Sequence, residues 1–415
     1  MSTGVTARLG LADVEQASRA ISGLVRHTPL ERSDALSALV GSDVHLKLEN
    51  LQQTGAFKVR GALNKLLGID PAVRARGVVT ASAGNHGQGV AHAAKLLGIP
   101  AWIVLPESVP LAKLTAIQRA GAEAIVEGAG YDQAHAIALR MAAEKDVTYV
   151  HAFDDPDVIA GQGTVVLEML EDEPALDTIV VPVGGGGLLA GCGLVTSSRG
   201  VRLIGAQSEG APAFARSFAA HQLVEVTPNT IADGIAVGRP GARTLALALE
   251  AVSEVRTVTD EQIARALLLL LERHKLLAEP AGAAALAAVL ESPAPLGRHV
   301  GIVISGGNID PNTLGKVIQQ GLASAGRYLA FRTWLDDRPG RLHDLTGVLT
   351  AARINILHVG IHRLGPYTTL GRVGLDVIVD TRDRAHADSV LQLVRDAGFP
   401  AEELLDTGPA SSSVS

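Results

Sequence analysis

Cysteine occurs once in the 415 residues, at Cys192, so no disulfide can form within the chain and nothing points to an oxidising compartment. Aromatic side chains are scarce at 3%, and the abundant Ala, Val, Leu and Gly suit close helix-on-sheet packing better than a β-sandwich. Basic residues do not predominate: the formal net charge is -7, and no basic run carries interleaved aromatics, which argues against a nucleic-acid partner. Long apolar runs are missing too. The stretch Ile179 to Val195 is broken by Pro182 and glycines, and Ala264 to Leu271 is too short to span a bilayer, so no membrane association is expected. The opening Met-Ser-Thr-Gly-Val-Thr-Ala-Arg lacks the basic-then-apolar order of a signal peptide, and the cytoplasm is the expected location.

What is present is a globular composition, 47% hydrophobic and 19% charged, in a chain long enough for two or three domains. Apolar spacing predicts a helix over 11–24, then a strand over Val44 to Leu48. Strand and helix patterns then alternate: Gly77 to Thr80, a helix from Asn85, Ala101 to Leu105, a helix from Pro110, Ala124 to Glu127, and a helix from Tyr131. A second set has strands at Thr178 to Val183, Val201 to Ala206 and Val300 to Ser305, with a long helix from Asp260 to about Leu277. This rhythm predicts βαβ units on parallel sheets, here two helix-covered sheets over residues 1–325 with a smaller part over roughly 50–150. A ligand belongs in the cleft between them. After Ala325 the order becomes strand 328–336, helix 340–353, strands 355–364 and 371–381, helix 384–397 and strand 400–405. That βαββαβ order is a ferredoxin-like α+β domain over 326–406. The last residues, 407–415 with four serines, are expected to be disordered.

Four stretches carry chemistry. Lys58 follows Phe57 at the start of a helix, where a desolvated amine beside a flat apolar ring could hold an aldehyde cofactor as a Schiff base; alone, the same residues read as a surface lysine on an amphipathic helix. Gly184, Gly185, Gly186, Gly187 and Leu188 stand between a buried strand and a small-residue helix, so inward-turned N–H groups and the helix N-terminus could seat a phosphate without a basic side chain. The stretch Ser82, Ala83, Gly84, Asn85, His86 is a second strand-to-helix turn, equally consistent with an anion site and with an ordinary helix cap. Ser305-Gly-Gly-Asn308 ends a buried strand, where its hydroxyl could meet a ring nitrogen without locking it protonated.

Taken together, Thr54-Gly-Ala-Phe-Lys58-Val-Arg-Gly-Ala62, Ser82 to Gly89, Asp154 to Thr164, the tetraglycine, Thr230 to Gly234, Glu279-Pro280 and Ser305 to Asn308 resemble the threonine dehydratases (threonine ammonia-lyases), pyridoxal-phosphate enzymes of the tryptophan-synthase-β type (fold type II). The resemblance covers about residues 10–325. Residues 328–405, with Asp336-Asp-Arg-Pro-Gly340 before the first helix, look like an ACT domain, a module that typically senses amino acids. It implies that Lys58 forms the Schiff base, Phe57 covers a face of the pyridine ring and Asn85 meets its 3-oxygen. It further implies that Gly184 to Leu188 hold the phosphate, Ser305 the ring nitrogen with Glu279 close by, and Ser82 to His86 the substrate carboxylate, although His86 reads as a structural hydrogen-bonder rather than a catalyst.

Two departures matter. Serine racemases carry a serine where Ala83 stands, serving as a second acid/base, so its absence favours dehydration over racemisation. Metal-binding relatives place carboxylates where Gln207 and Ala213 align, so no metal site is expected there, and Glu209 alone is a weak donor set. The expected reaction is β-elimination of L-threonine, and of L-serine, to a 2-oxo acid and ammonia. Isoleucine or valine is the expected effector between paired ACT units near Gly340, in a homodimer or homotetramer. Serine racemase, serine dehydratase, hydroxyaspartate ammonia-lyase and β-replacement synthase activities remain open on this fold, as does a non-enzymatic amino-acid sensor.

Overall fold

Buried apolar strands that alternate with helices recur through a computed structural model, which describes residues 9–363 and 371–404. The chain forms two compact units, Met1–Leu314 and Gly315–Ser415. In the first, β1 (Leu30–Arg32) and β2 (Asp43–Leu48) are followed by β3 (Val78–Ala81), β4 (Ala101–Leu105), β5 (Glu123–Val126) and β6 (Thr148–Tyr149). Then come β7 (Thr178–Pro182), β8 (Arg202–Ser208), β9 (Glu254–Val258) and β10 (His299–Ile304). They make a six-stranded sheet in the order β1-β2-β10-β7-β8-β9 and a four-stranded sheet in the order β5-β4-β3-β6. Only β1 runs antiparallel to its neighbour; every other pairing in these two sheets is parallel. Parallel strands need helical crossovers, and the helices bury both faces, which is why β3 and β7 are buried at every residue.

Most expected elements lie within a residue or two of their observed bounds. The long helix expected from Asp260 differs. It is α-helical over Asp260–Leu269, widens to a π-turn over Leu270–His274 and stops at Lys275, whose φ is 59°. No glycine or proline marks this end, so periodicity alone runs past it. The short strands β1, β6 and β9 escape the pattern because their burial is mixed or shallow.

The second unit contains β11 (Tyr328–Asp336), β12 (Ile356–His362), β13 (Arg372–Asp380) and β14 (Ala401–Glu403) in an antiparallel sheet ordered β12-β13-β11-β14. Helices Arg341–Ala351 and Arg384–Asp396 complete the βαββαβ order. Phe331, Leu345, Leu349, Val377 and Val394 are among its core residues. The serine-rich tail lies outside the described residues. Among the described residues no helix is long and apolar enough to cross a membrane.

Candidate active site

The loops singled out by their chemistry all leave the carboxyl ends of parallel strands. Lys58 follows β2 through a 3-10 turn at Glu49–Leu51, Ser82 follows β3, the tetraglycine follows β7 and Ser305 follows β10. Open parallel sheets place ligands there, because strand ends and helix starts converge on the same edge. Backbone contacts tie the loops together. Phe57 N–H donates to the Ser305 carbonyl at 3.1 Å, Gly307 N–H to the Gly55 carbonyl at 2.8 Å, and Glu279 N–H to the Gly306 carbonyl at 3.0 Å.

Lys58 opens the helix Lys58–Gly68, and its Nζ donates to the Ala152 carbonyl at 3.1 Å. The amine stands 5.1 Å from the centroid of the Phe57 ring. Burial lowers its pKa to about 8 from the ordinary 10.5, against the opposing charge of Glu279. An amine poised there is neutral in about a tenth of molecules at pH 7, far more than an ordinary lysine, as a nucleophile or base requires. Glu279, 4% exposed, is shifted the other way: burial and then Asp233 push its carboxyl up to about 8, opposed by the Asn85 hydrogen bond, Lys113 and Lys58.

Asn85 is bonded at both ends of its amide, with one Nδ2 hydrogen left over. Its Nδ2 donates to Glu279 Oε1 at 2.7 Å, and its Oδ1 accepts from Asn308 Nδ2 at 2.8 Å. Asn308, the last residue of the Ser305 motif, also donates to the Thr54 carbonyl and so joins three of the four loops. Asn85 begins the helix Asn85–Leu97 behind Gly84, leaving first-turn N–H groups beside Ser82. His86 is buried with Nε2 against the Val150 carbonyl at 3.1 Å, and burial, followed by the nearby Lys58 charge, lowers its pKa to about 3. It is therefore a neutral hydrogen-bond donor from Nε2. Ala83 packs partly buried against the core of the smaller sheet, offering only a methyl group.

The tetraglycine needs its glycines for two separate reasons. A Cβ on Gly185 would meet the Phe153 ring at 2.4 Å, and Gly186 has φ 94° with Phe214 2.2 Å from its missing Cβ. Thr244 Oγ1 donates to the Gly185 carbonyl at 2.7 Å, while Asp154 Oδ1 accepts from the N–H groups of Arg243 and Thr244. Phe153 adjoins Ala152, so the backbone that receives the Lys58 amine also carries the ring that shapes the glycine loop. Phe153 and Thr244 were not visible in the sequence because their partners lie far along the chain. Leu188 is buried in the core, so only its backbone can face a ligand. Gln207, at the position considered for a metal ligand, directs Oε1 to the Ala215 N–H at 2.8 Å.

Beneath the Lys58 helix lies a charged cluster. Arg60 is fully buried and forks onto Glu49 (Nε to Oε2 2.9 Å, Nη2 to Oε1 2.8 Å) and Glu168 (Nη1 to Oε1 2.6 Å, Nη2 to Oε2 2.8 Å). Lys47 Nζ adds a 2.7 Å bond to Glu168 and another to the Thr28 carbonyl. Burial pushes the Glu168 carboxyl up, but Arg60 and Lys47 hold it below the usual range. Two cations thus offset two anions, fastening β2, the helix Lys58–Gly68 and the helix Pro156–Asp172 to one another.

A family model described as pyridoxal-phosphate dependent enzyme matches residues 21–306, and an ACT-domain model matches 331–399. The chain belongs to the pyridoxal-phosphate-dependent enzymes. It is 43% identical to an L-threonine ammonia-lyase of Thermotoga maritima over 393 residues, covering 94% of this chain and 98% of that one. An L-threonine ammonia-lyase of Geobacter sulfurreducens is 41% identical with the same coverage. Among solved structures, a threonine deaminase from T.th. has a TM-score of 0.70 and 39% identity, covering 73% of this chain and 99% of that one. Maize serine racemase has a TM-score of 0.71 and 36% identity, covering 76% and 98%. The enzyme is of fold type II with a C-terminal ACT domain, and its cofactor is pyridoxal phosphate. The residues fit that group: a desolvated amine with an apolar ring beside it, and a glycine cradle that a single Cβ would fill, at the start of the helix Gly187–Arg199.

Proposed function

We propose that this enzyme is an L-threonine ammonia-lyase that removes water and then ammonia from L-threonine to give 2-oxobutanoate, acts also on L-serine, and is regulated by an amino acid at its ACT domain. One observation carries the reading: the relatives named for that activity match through the catalytic unit and the ACT domain together, not through a shared cofactor fold alone. Pyridoxal phosphate supplies, when bound, an aldehyde carbon for amines and a conjugated ring that takes up electron density from Cα. Lys58 would anchor the cofactor covalently and, once freed, would be the base that takes the Cα proton. Phe57 would cover a face of its ring, Ser305 would meet the ring nitrogen as an uncharged hydroxyl with Glu279 close by, and Asn85 would meet the 3-oxygen. The N–H groups of Gly184 to Leu188 would hold the phosphate. Ser82, Ala83, Gly84, Asn85 and His86 frame the carboxylate of the substrate at the start of their helix, His86 by fixing the turn from behind. Atoms balance when the Cα proton and the β-hydroxyl leave as water and the resulting enamine hydrolyses to 2-oxobutanoate and ammonia.

Ala83 supports elimination over racemisation, since a methyl cannot exchange a proton on the face opposite Lys58. Purified enzyme with pyridoxal phosphate should convert L-threonine to 2-oxobutanoate. Formation of D-serine from L-serine without 2-oxo acid would instead establish the racemase reading.

The ACT unit, residues 326–406, is proposed to bind isoleucine or valine near Gly340, at the N-terminus of the helix Arg341–Ala351, in a homodimer or homotetramer. The edge strand β12 exposes Leu357 and Ile361, which suits pairing with a second copy. Control by isoleucine would suit a role in isoleucine biosynthesis. Titration with each amino acid while following 2-oxobutanoate formation tests the effector, and no response to either rejects it.

A further inference from the structure

We propose that Asp43, His45 and His299 form a binding site for a divalent transition-metal cation of the zinc type, at the opposite end of the large sheet from the active site. Asp43 and His45 are two apart on β2, so they share a face, and the parallel register places His299 of β10 beside Asp43. Asp43 Oδ2 lies 3.2 Å from His299 Nδ1 and 3.5 Å from His45 Nε2, and all three donor atoms fall within 4.8 Å of one another. Tetrahedral bonds of about 2.0 Å put neighbouring donors about 3.3 Å apart, so the carboxylate already stands at a coordination edge from each ring. Among the described residues no other trio of histidine, cysteine and acidic side chains converges in this way.

A second observation points to a ligand. His45 is 6% exposed, and its Nε2 is buried without a hydrogen-bond partner. Its approach to Asp43 Oδ2, 3.5 Å, is too long for a good hydrogen bond, and a cation held between the two would satisfy both. Asp43 and His299 are only partly buried, which leaves a way in.

The groups around the trio hold it in place. Arg32 Nε donates to Asp43 Oδ1 at 2.5 Å, occupying the carboxylate oxygen that faces away from His299 and leaving Oδ2 to the rings. Arg32 is itself paired with Asp34, which offsets its charge near a cation. Asp177 Oδ2 accepts from the N–H groups of Arg298 and His299, and Asp43 N–H donates to the Arg298 carbonyl, so the start of β10 is pinned from both sides. Such supporting bonds to ligands and their backbone are what ordered metal sites have. Two imidazoles and one carboxylate, with a further position for water, suit zinc better than calcium or magnesium, which favour oxygen.

A cation here joins β2 to β10, whose far ends deliver Lys58 and Ser305. His299 and Ser305 are six residues apart on one extended strand, a separation of roughly 20 Å, so the site braces the scaffold without touching the chemistry. Binding to the folded state alone raises its stability by linkage.

The test uses full-length holoenzyme and zinc chloride, in competition with a chromophoric chelator, comparing wild type with His299→Ala and His45→Gln. Wild type should bind one zinc per chain, and each variant should bind at least about tenfold more weakly. The thermal midpoint should rise with zinc in wild type and not in the variants, with 2-oxo acid formation preserved in all three. If His45→Gln folds poorly, His299→Ala decides, since that residue lies at the rim. No zinc at one equivalent, or equal affinity in wild type and His299→Ala, overturns the proposal.

Discussion

Lys58 can remove a proton only while its amine is neutral, and burial has brought its pKa to about 8. Turnover limited by proton removal should therefore rise as pH passes upward through about 8, which a kcat profile from about pH 6 to 9.5 would reveal. Lys58→Ala should lower 2-oxobutanoate formation by roughly 10²–10⁴-fold, and borohydride reduction should no longer fix the cofactor to this peptide by mass spectrometry. Glu279 gives the opposite pH signature in the cofactor-free protein. Its folded carboxyl keeps a proton up to about 8, whereas the ordinary value is 4.5, so its contribution to stability is complete below the lower value and is lost as pH rises through the higher one. Glu279→Gln should therefore gain thermal stability relative to wild type as pH rises from about 5 to 8.5, and a constant difference in Tm would contradict the assignment.

At the scale of elements, the position of the Lys58 helix depends on the buried cluster below it. Arg60→Met leaves Glu49 and Glu168 without their main partner in a dry interior. Denaturant unfolding should show a loss of about 3–5 kcal/mol, far more than the removal of a surface charge. The glycine loop depends on close approach in the same way. In Gly185→Ala the new methyl meets Phe153 at 2.4 Å, so either that ring or the loop must shift, and fluorescence titration should show weaker pyridoxal phosphate binding with little change in Tm. The strand-to-helix turns were legible in the sequence because glycine runs, apolar strands and helix starts are local signals. The cluster of Lys47, Glu49, Arg60 and Glu168 was not. Its members read as scattered charges until folding brings residues up to 121 positions apart into one pocket.

For the whole molecule, regulation must come from different affinities of an effector for two states. Deleting residues 328–415 should abolish the response to isoleucine or valine while keeping threonine deamination. Inhibition that survives the deletion unchanged would place the effector elsewhere.

Residue order was enough to reveal the fold class, both domain types and the glycine-rich turns at the strand ends, because hydrophobic period, glycine placement and motif order are written along the chain. Tertiary structure alone decided that Asn85 is held between Glu279 and Asn308, that Phe153 shapes the glycine cradle, and that Lys58 and Glu279 shift each other's protonation. It also gathered Asp43, His45 and His299, which are separated by up to 256 positions and become neighbours only through the register of β2 and β10. Desolvation and charge coupling act through space, so they exist only once the sheets have paired.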